Sequence, residues 1–126
     1  LILYAAADLI WATKIKATAE ALGLSARPVR TLEMLHARLE DCPQAKALMV
    51  DLDKGEEGLA LIVALRQFEA SPSRQQFNRL RIVAWGPHVA KDLLQAARDA
   101  GADEVMTRGS LEHNMEEVLM RLAGRA

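Results

Sequence analysis

Apolar runs of strand length alternate with stretches of helical period five times along the chain. Residues 1–5 (LILYA) are the first run. Asp8 stands where a helix cap belongs, ahead of Ala12, Ile15, Ala19 and Leu22 at helical spacing, and Gly23 stops that helix. Residues 27–30 form a short second strand. Thr31 then caps a helix whose Leu32, Leu35 and Leu39 share a face, and Pro43 closes the unit. Residues 45–52 (AKALMVDL) are nearly continuous in apolar side chains, which suits a strand covered on both faces. Residues 59–68 have helical length but are apolar almost all round, a pattern that calls for deep burial or for cover by a partner. After the polar loop 70–79, residues 80–85 (LRIVAW) are a fourth strand. Gly86-Pro87 turns into a helix with Val89, Leu93, Ala96, Ala97 and Ala100 on its inner face. Residues 104–107 (EVMT) are the fifth strand, and Ser110 caps a last helix with Leu111, Met115, Val118, Leu119 and Leu122 on one stripe.

Five strands alternating with five helices require parallel pairing through right-handed crossovers. The predicted fold is α/β: a three-layer, doubly wound, parallel five-stranded sheet of flavodoxin-like type, strand order 2-1-3-4-5, built as a single domain over residues 1–126. In such sheets the working surface is the rim at the carboxyl ends of the strands. That directs attention to residues 5–8, 51–58, 85–88 and 107–110.

Composition narrows the function classes. A chain of 126 residues with half of them hydrophobic is long enough to bury one sizeable core. The net charge of −1 and the lack of a long single-sign block argue against a generalised nucleic-acid surface. The lone Cys42 excludes an internal disulfide or a multi-cysteine metal site and fits a reducing compartment, so a cytoplasmic location is expected. The opening LILYAAADLIWA lacks a basic lead-in and reads as a strand entering a helix, and no apolar run reaches the roughly 20 residues that span a bilayer. No nucleic-acid, membrane or cofactor partner is indicated, and no nucleophile and base pair marks an enzyme.

The candidate chemistry lies on the rim. Asp51 and Asp53, in MVDLDKGEEG, can form a metal-binding or anion-repelling pocket, or they can pair with Arg108 and cap a backbone turn. Read as a calcium loop the stretch fails, because the glycine comes one place early and position twelve is Ile62. Trp11 and Trp85 can stack on a planar ligand, or an indole can fill the space beside the small Ala5 and Ala6. His88 has no second metal ligand at helical spacing and reads as a first-turn helix residue. Arg66, Arg74, Arg79 and Arg81 make a local basic cluster near the polar loop.

Over essentially its whole length the chain resembles a response-regulator receiver domain. VDLDKGEEGLALIVALR is similar to that family's phosphoacceptor strand and following helix, and AARDAGADEVMTRGSL to its fourth helix, fifth strand and next turn. The resemblance implies phosphoryl transfer to an aspartate, here Asp51, aided by a divalent metal on an acidic pair, a hydroxyl and a lysine. At the matching positions stand Ala5 and Ala6 for the acidic pair, Trp85 for the hydroxyl and Arg108 for the lysine, followed by Gly109 where the family usually has proline. Only the acceptor is kept, so the resemblance is to a degenerate member, a pseudo-receiver. It implies a non-catalytic regulatory domain that acts through a protein partner or as a homodimer, with His113 and Glu116 at the interface. Two alternatives remain. One is an atypical phosphoacceptor in which Asp8 and Asp53 replace the missing pair. The other is a small-molecule binder, for a nucleotide or other planar ligand, that uses Trp11, Trp85 and Arg108 on a pocket rim that also holds Asp8, Asp53, His88 and Thr107.

Overall fold

Alternation of side chains along five short strands divides the core in two. The computed structural model describes residues 1–72 and 79–124. Its elements run β1 (Ile2–Ala5), α1 (Leu9–Ala21), β2 (Ala26–Pro28), α2 (Leu32–Asp41), β3 (Ala47–Asp51), a one-turn 3-10 helix (Leu52–Lys54), α3 (Glu56–Ala70), β4 (Arg81–Gly86), α4 (Lys91–Ala100), β5 (Glu104–Thr107) and α5 (Arg108–Leu122). All pairings are parallel and the order is β2-β1-β3-β4-β5, as the alternating pattern predicts. Ile2, Tyr4, Ala47, Met49, Val83 and Trp85 leave one face of the sheet and pack with Trp11 and Ile15 of α1 and with Leu111, Met115, Val118 and Leu119 of α5. Leu3, Ala5, Leu48, Val50, Ile82 and Ala84 leave the other and meet Leu35 of α2, Leu61, Ile62 and Leu65 of α3, and Leu94 of α4.

Several predicted details move. The second strand lies a residue or two earlier than read, because Arg30 has already turned out of the sheet toward the α2 cap. The third helix begins at Glu56, and only one side of it is deeply covered; Leu61, Ile62 and Leu65 are buried while Val63 is half-exposed. Its apolarity therefore needs little further cover. Val89 is not on the inner face of α4: it lies in the turn before the helix and is exposed, and Leu94 and Ala97 are the buried positions. Ser110 is not a cap. Thr107 holds that place, its Oγ1 accepting from the Ser110 amide at 3.1 Å, so that α5 starts directly at the end of β5. Asp8 and Thr31 do cap α1 and α2 as their positions suggest.

The basic cluster divides. Arg74 lies outside the described residues, while Arg66 is the hub of a clasp at the amino end of β4, away from the carboxyl rim. Its guanidinium donates to the Gly101 carbonyl at 3.0 Å, the Leu80 carbonyl at 2.9 Å, Glu69 at 2.7 Å and Asp103 at 2.7 Å. Asp103 also accepts from Arg79 at 2.7 Å and from the Ile82 amide at 2.8 Å. Gly101 ends α4 at φ +118°, and a Cβ there would stand 2.9 Å from Arg66 Cγ. Glycine thus serves both the left-handed turn and the close approach of the arginine.

Candidate functional site

Asp51 is the last residue of β3 and the one buried polar or charged side chain among the described residues. A carboxylate can be buried there because both its oxygens are met. Oδ2 accepts from the Ala7 amide at 2.9 Å, and Oδ1 accepts from the Asp53 amide at 3.0 Å, closing the one-turn helix that follows. Burial pushes its pKa above the usual aspartate value. The two amide bonds pull the other way, and the negative charges of Asp53 and Asp8 add to the rise. Gly58 lets α3 begin close behind, since a Cβ there would lie 3.2 Å from the Asp51 carbonyl oxygen.

The remaining rim residues do not converge on this carboxylate. Asp53 turns outward and forms an ion pair with Arg108 at the start of α5. Asp8 is committed to capping α1, accepting from the Trp11 amide at 2.9 Å. Thr107 caps α5. His88 is exposed in the turn before α4 rather than in its first turn. His36, His113 and Glu116 are exposed on their helices.

The two tryptophans require a correction, since neither forms an open rim. Trp85 pairs in register with Asp51, so both side chains leave the sheet on the α1/α5 side. The indole is fully buried and its Nε1–H meets no acceptor among the described residues. Trp11 is also buried, with its ring centroid 5.5 Å from that of Trp85 in a tilted arrangement. No indole face is left for a planar ligand. The space-filling alternative is also revised, because only Ala6 joins the Trp85 cluster, whereas strand alternation sends Ala5 into the opposite layer.

A magnesium ion held in the receiver manner does not fit these residues. Ala5 and Ala6 offer no oxygen side chains, and among the described residues no three acidic, histidine or cysteine side chains gather as a metal site. Two residues that do mark this edge were missed in the sequence. Arg30 and Lys54 both line the two cavities beside the ends of β1 and β2, one of about 450 Å³ and one of about 310 Å³. The signal was available in part, since Arg30 follows a strand end just as the four chosen loops do.

Comparison of the fold with solved structures decides its kind. The receiver domain of NtrX from Brucella abortus superposes with a TM-score of 0.76 over the whole of both chains at 15% identity. A response regulator from Thermotoga maritima gives 0.73 at 19% identity, covering 98% of this chain and 96% of the other. The chain has the receiver fold. A response regulator from Burkholderia pseudomallei, solved with a phosphorylated aspartic acid, a calcium ion and citrate, gives 0.67 at 20% identity, covering 96% of this chain and 65% of that one. No protein-family model matches the sequence, and no curated protein sequence does. Among the described residues no helix is long and apolar enough to cross a membrane.

Proposed function

We propose that this receiver-fold chain is a regulatory domain that works through protein contacts, with a partner protein or a second copy, and takes no phosphoryl group on Asp51 by the magnesium-dependent route. The observation that carries this reading is the state of Asp51: a buried carboxylate held by two backbone amides, with Ala5 and Ala6 where an acidic pair would stand. Phosphoryl transfer to a carboxylate brings two anions together, and a metal clamp lowers the transition state by several kcal/mol. Here the charges acting on Asp51, those of Asp53 and Asp8, are negative, and Arg108 at the start of α5 is engaged by Asp53. Two existing duties weigh against the atypical acceptor that recruits Asp8 and Asp53: Asp8 caps α1, and Asp53 is paired with Arg108.

A magnesium titration followed by amide NMR tests the reading. Millimolar Mg²⁺ is expected to leave the amides of Ala6, Ala7, Leu52 and Asp53 unshifted. A saturable shift confined to those amides would restore the metal site and overturn the proposal.

A further inference from the structure

Asp51 ties together two loops of unequal rigidity. Its Oδ2 accepts from the amide of Ala7, 44 residues away in the chain, and its Oδ1 from the amide of Asp53, two residues away. The second contact belongs to the one-turn helix Leu52–Lys54, which Asp51 itself caps, so the local backbone already brings that amide to the carboxyl. The first has no such support. Residues 6–8 lie between β1 and α1 in neither element, and Ala7 directly precedes Asp8, the cap of α1. Leu9 and Ile10 follow in the first turn of the helix with 80% and 68% of their surface exposed, so packing does little to hold this corner against the sheet.

We propose that Asp51 is a charge-operated latch: the ionised carboxylate holds the β1–α1 turn against β3, and the neutral acid lets that turn go. An ionised carboxylate only accepts, and here each oxygen serves one amide. A proton taken from solvent turns one oxygen into a hydroxyl that must donate, so one amide bond gives way. The Asp53 bond is kept by its own turn, and the Ala7 bond is the one lost. Trp85, in register beside Asp51, brings an indole N–H that donates and cannot accept the new proton. The elements around the carboxyl carry Asp8 before α1, Lys14 on α1, Asp53 and Lys54 on the one-turn helix, Glu56 and Glu57 at the start of α3, and Arg108 at the start of α5. The ends of β4 and β5 bring the uncharged Trp85 and Thr107, and His88 beyond β4 is exposed. Burial favours the neutral form of Asp51 most; the two amide bonds oppose it, and the charges of Asp53 and Asp8 add to it, while Arg108 is engaged by Asp53. The latch therefore opens at a higher pH than that at which a free aspartate takes its proton. It needs only the contacts of one carboxylate and holds whether or not the domain works through a partner.

The test is amide and carboxyl-carbon NMR of the full chain, titrated from neutral to acid pH, beside Asp51→Asn at neutral pH. In the wild type the amides of Ala7, Leu9 and Ile10 are expected to move together with one midpoint, that of the Asp51 carboxyl carbon. Asparagine stands in for the neutral acid, since it keeps one accepting oxygen and puts a donor in place of the other. In Asp51→Asn that midpoint is expected to vanish, with the Ala7 amide at its acid position and exchanging with solvent about tenfold faster than in the wild type at the same pH. The Ile82 amide, held by Asp103 away from the carboxyl rim, keeps its shift in the variant if the fold is intact. Asp8 also titrates beside Ala7, so Asp8→Asn, which retains a good cap, separates the two acids: the transition at Ala7 is expected to survive in it. An Ala7 transition that follows the Asp8 carboxyl or disappears in Asp8→Asn overturns the proposal. So does an Ala7 amide as protected in a folded Asp51→Asn as in the wild type. Should that variant not fold, the wild-type and Asp8→Asn titrations decide by the same midpoints.

Discussion

Replacing Trp85 asks whether this strand-end residue is part of the core or a cover over a working pocket. The indole is fully buried among Met49, Val83 and the α1 and α5 side chains, with Trp11 at 5.5 Å. Trp85→Ala removes nearly all of that volume, and truncation of a buried tryptophan costs about 3–5 kcal/mol, the higher figure applying when neighbours cannot close in. Trp85→Phe keeps an aromatic ring and removes an Nε1–H that meets no acceptor among the described residues. The lost contacts cost on the order of 1–2 kcal/mol, and relief of an unsatisfied buried donor returns about 1 kcal/mol or more. The phenylalanine variant is therefore expected within about 1 kcal/mol of the parent. Urea unfolding followed by far-UV circular dichroism measures both. With a slope of about 1–3 kcal/mol per molar urea, the alanine midpoint falls by roughly 2 M and the phenylalanine midpoint by less than about 0.7 M, with the slope unchanged. An alanine variant as stable as the parent would refute the packing argument and reopen the pocket above Asp51.

Three other expectations follow from the same contacts. Arg66→Met leaves Glu69 without its cation and Asp103 with Arg79 alone, while each keeps a backbone amide, so a loss of about 2 kcal/mol in urea unfolding is expected; a change below about 0.5 kcal/mol would reduce the clasp to a surface ion pair. At Asp103 burial raises the pKa, but the Ile82 amide, the Arg79 hydrogen bond and the charges of Arg66 and Arg79 outweigh it and hold the carboxyl below its usual range. The unfolded state then binds the proton more readily, so this contribution to stability is full above the unfolded pKa and is lost as pH falls through the folded one. Asp103→Asn is expected to flatten the acid limb of the stability profile, and an unchanged limb would place the acid sensitivity elsewhere. Asp51 has the opposite sign: its raised pKa makes the folded state the better proton acceptor, so its contribution declines as pH rises from the unfolded to the folded value. Carboxyl-carbon NMR is expected to find Asp51 titrating above a free aspartate and to find Asp53→Asn lowering that value, since a neighbouring negative charge is removed; no shift or a rise would contradict the assignment.

The layer architecture was legible because period carries it: apolar runs of strand length and helical stripes such as Ile15, Ala19 or Leu111, Met115 and Val118 say which side of each element is covered. Boundaries set by a single hydrogen bond were less so. Thr107 and Ser110 are both good caps in sequence, and only the turn at the end of β5 selects the first. At the site, the absence of an acidic pair at Ala5 and Ala6 could be read directly. The place of Trp85 could not, because a tryptophan at a strand end suits rim or core equally until register puts it beside Asp51 under α1 and α5. Arg30 and Lys54 were hidden for a related reason: both line the same two cavities, which is a property of three separate loops.

Intact mass spectrometry after incubation with acetyl phosphate and Mg²⁺ tests the central claim most directly. The account predicts no phosphoryl increment on the wild-type chain, under conditions in which a receiver with an acidic pair and a lysine is modified in the same tube. An increment on the wild type that disappears in Asp51→Asn would contradict it.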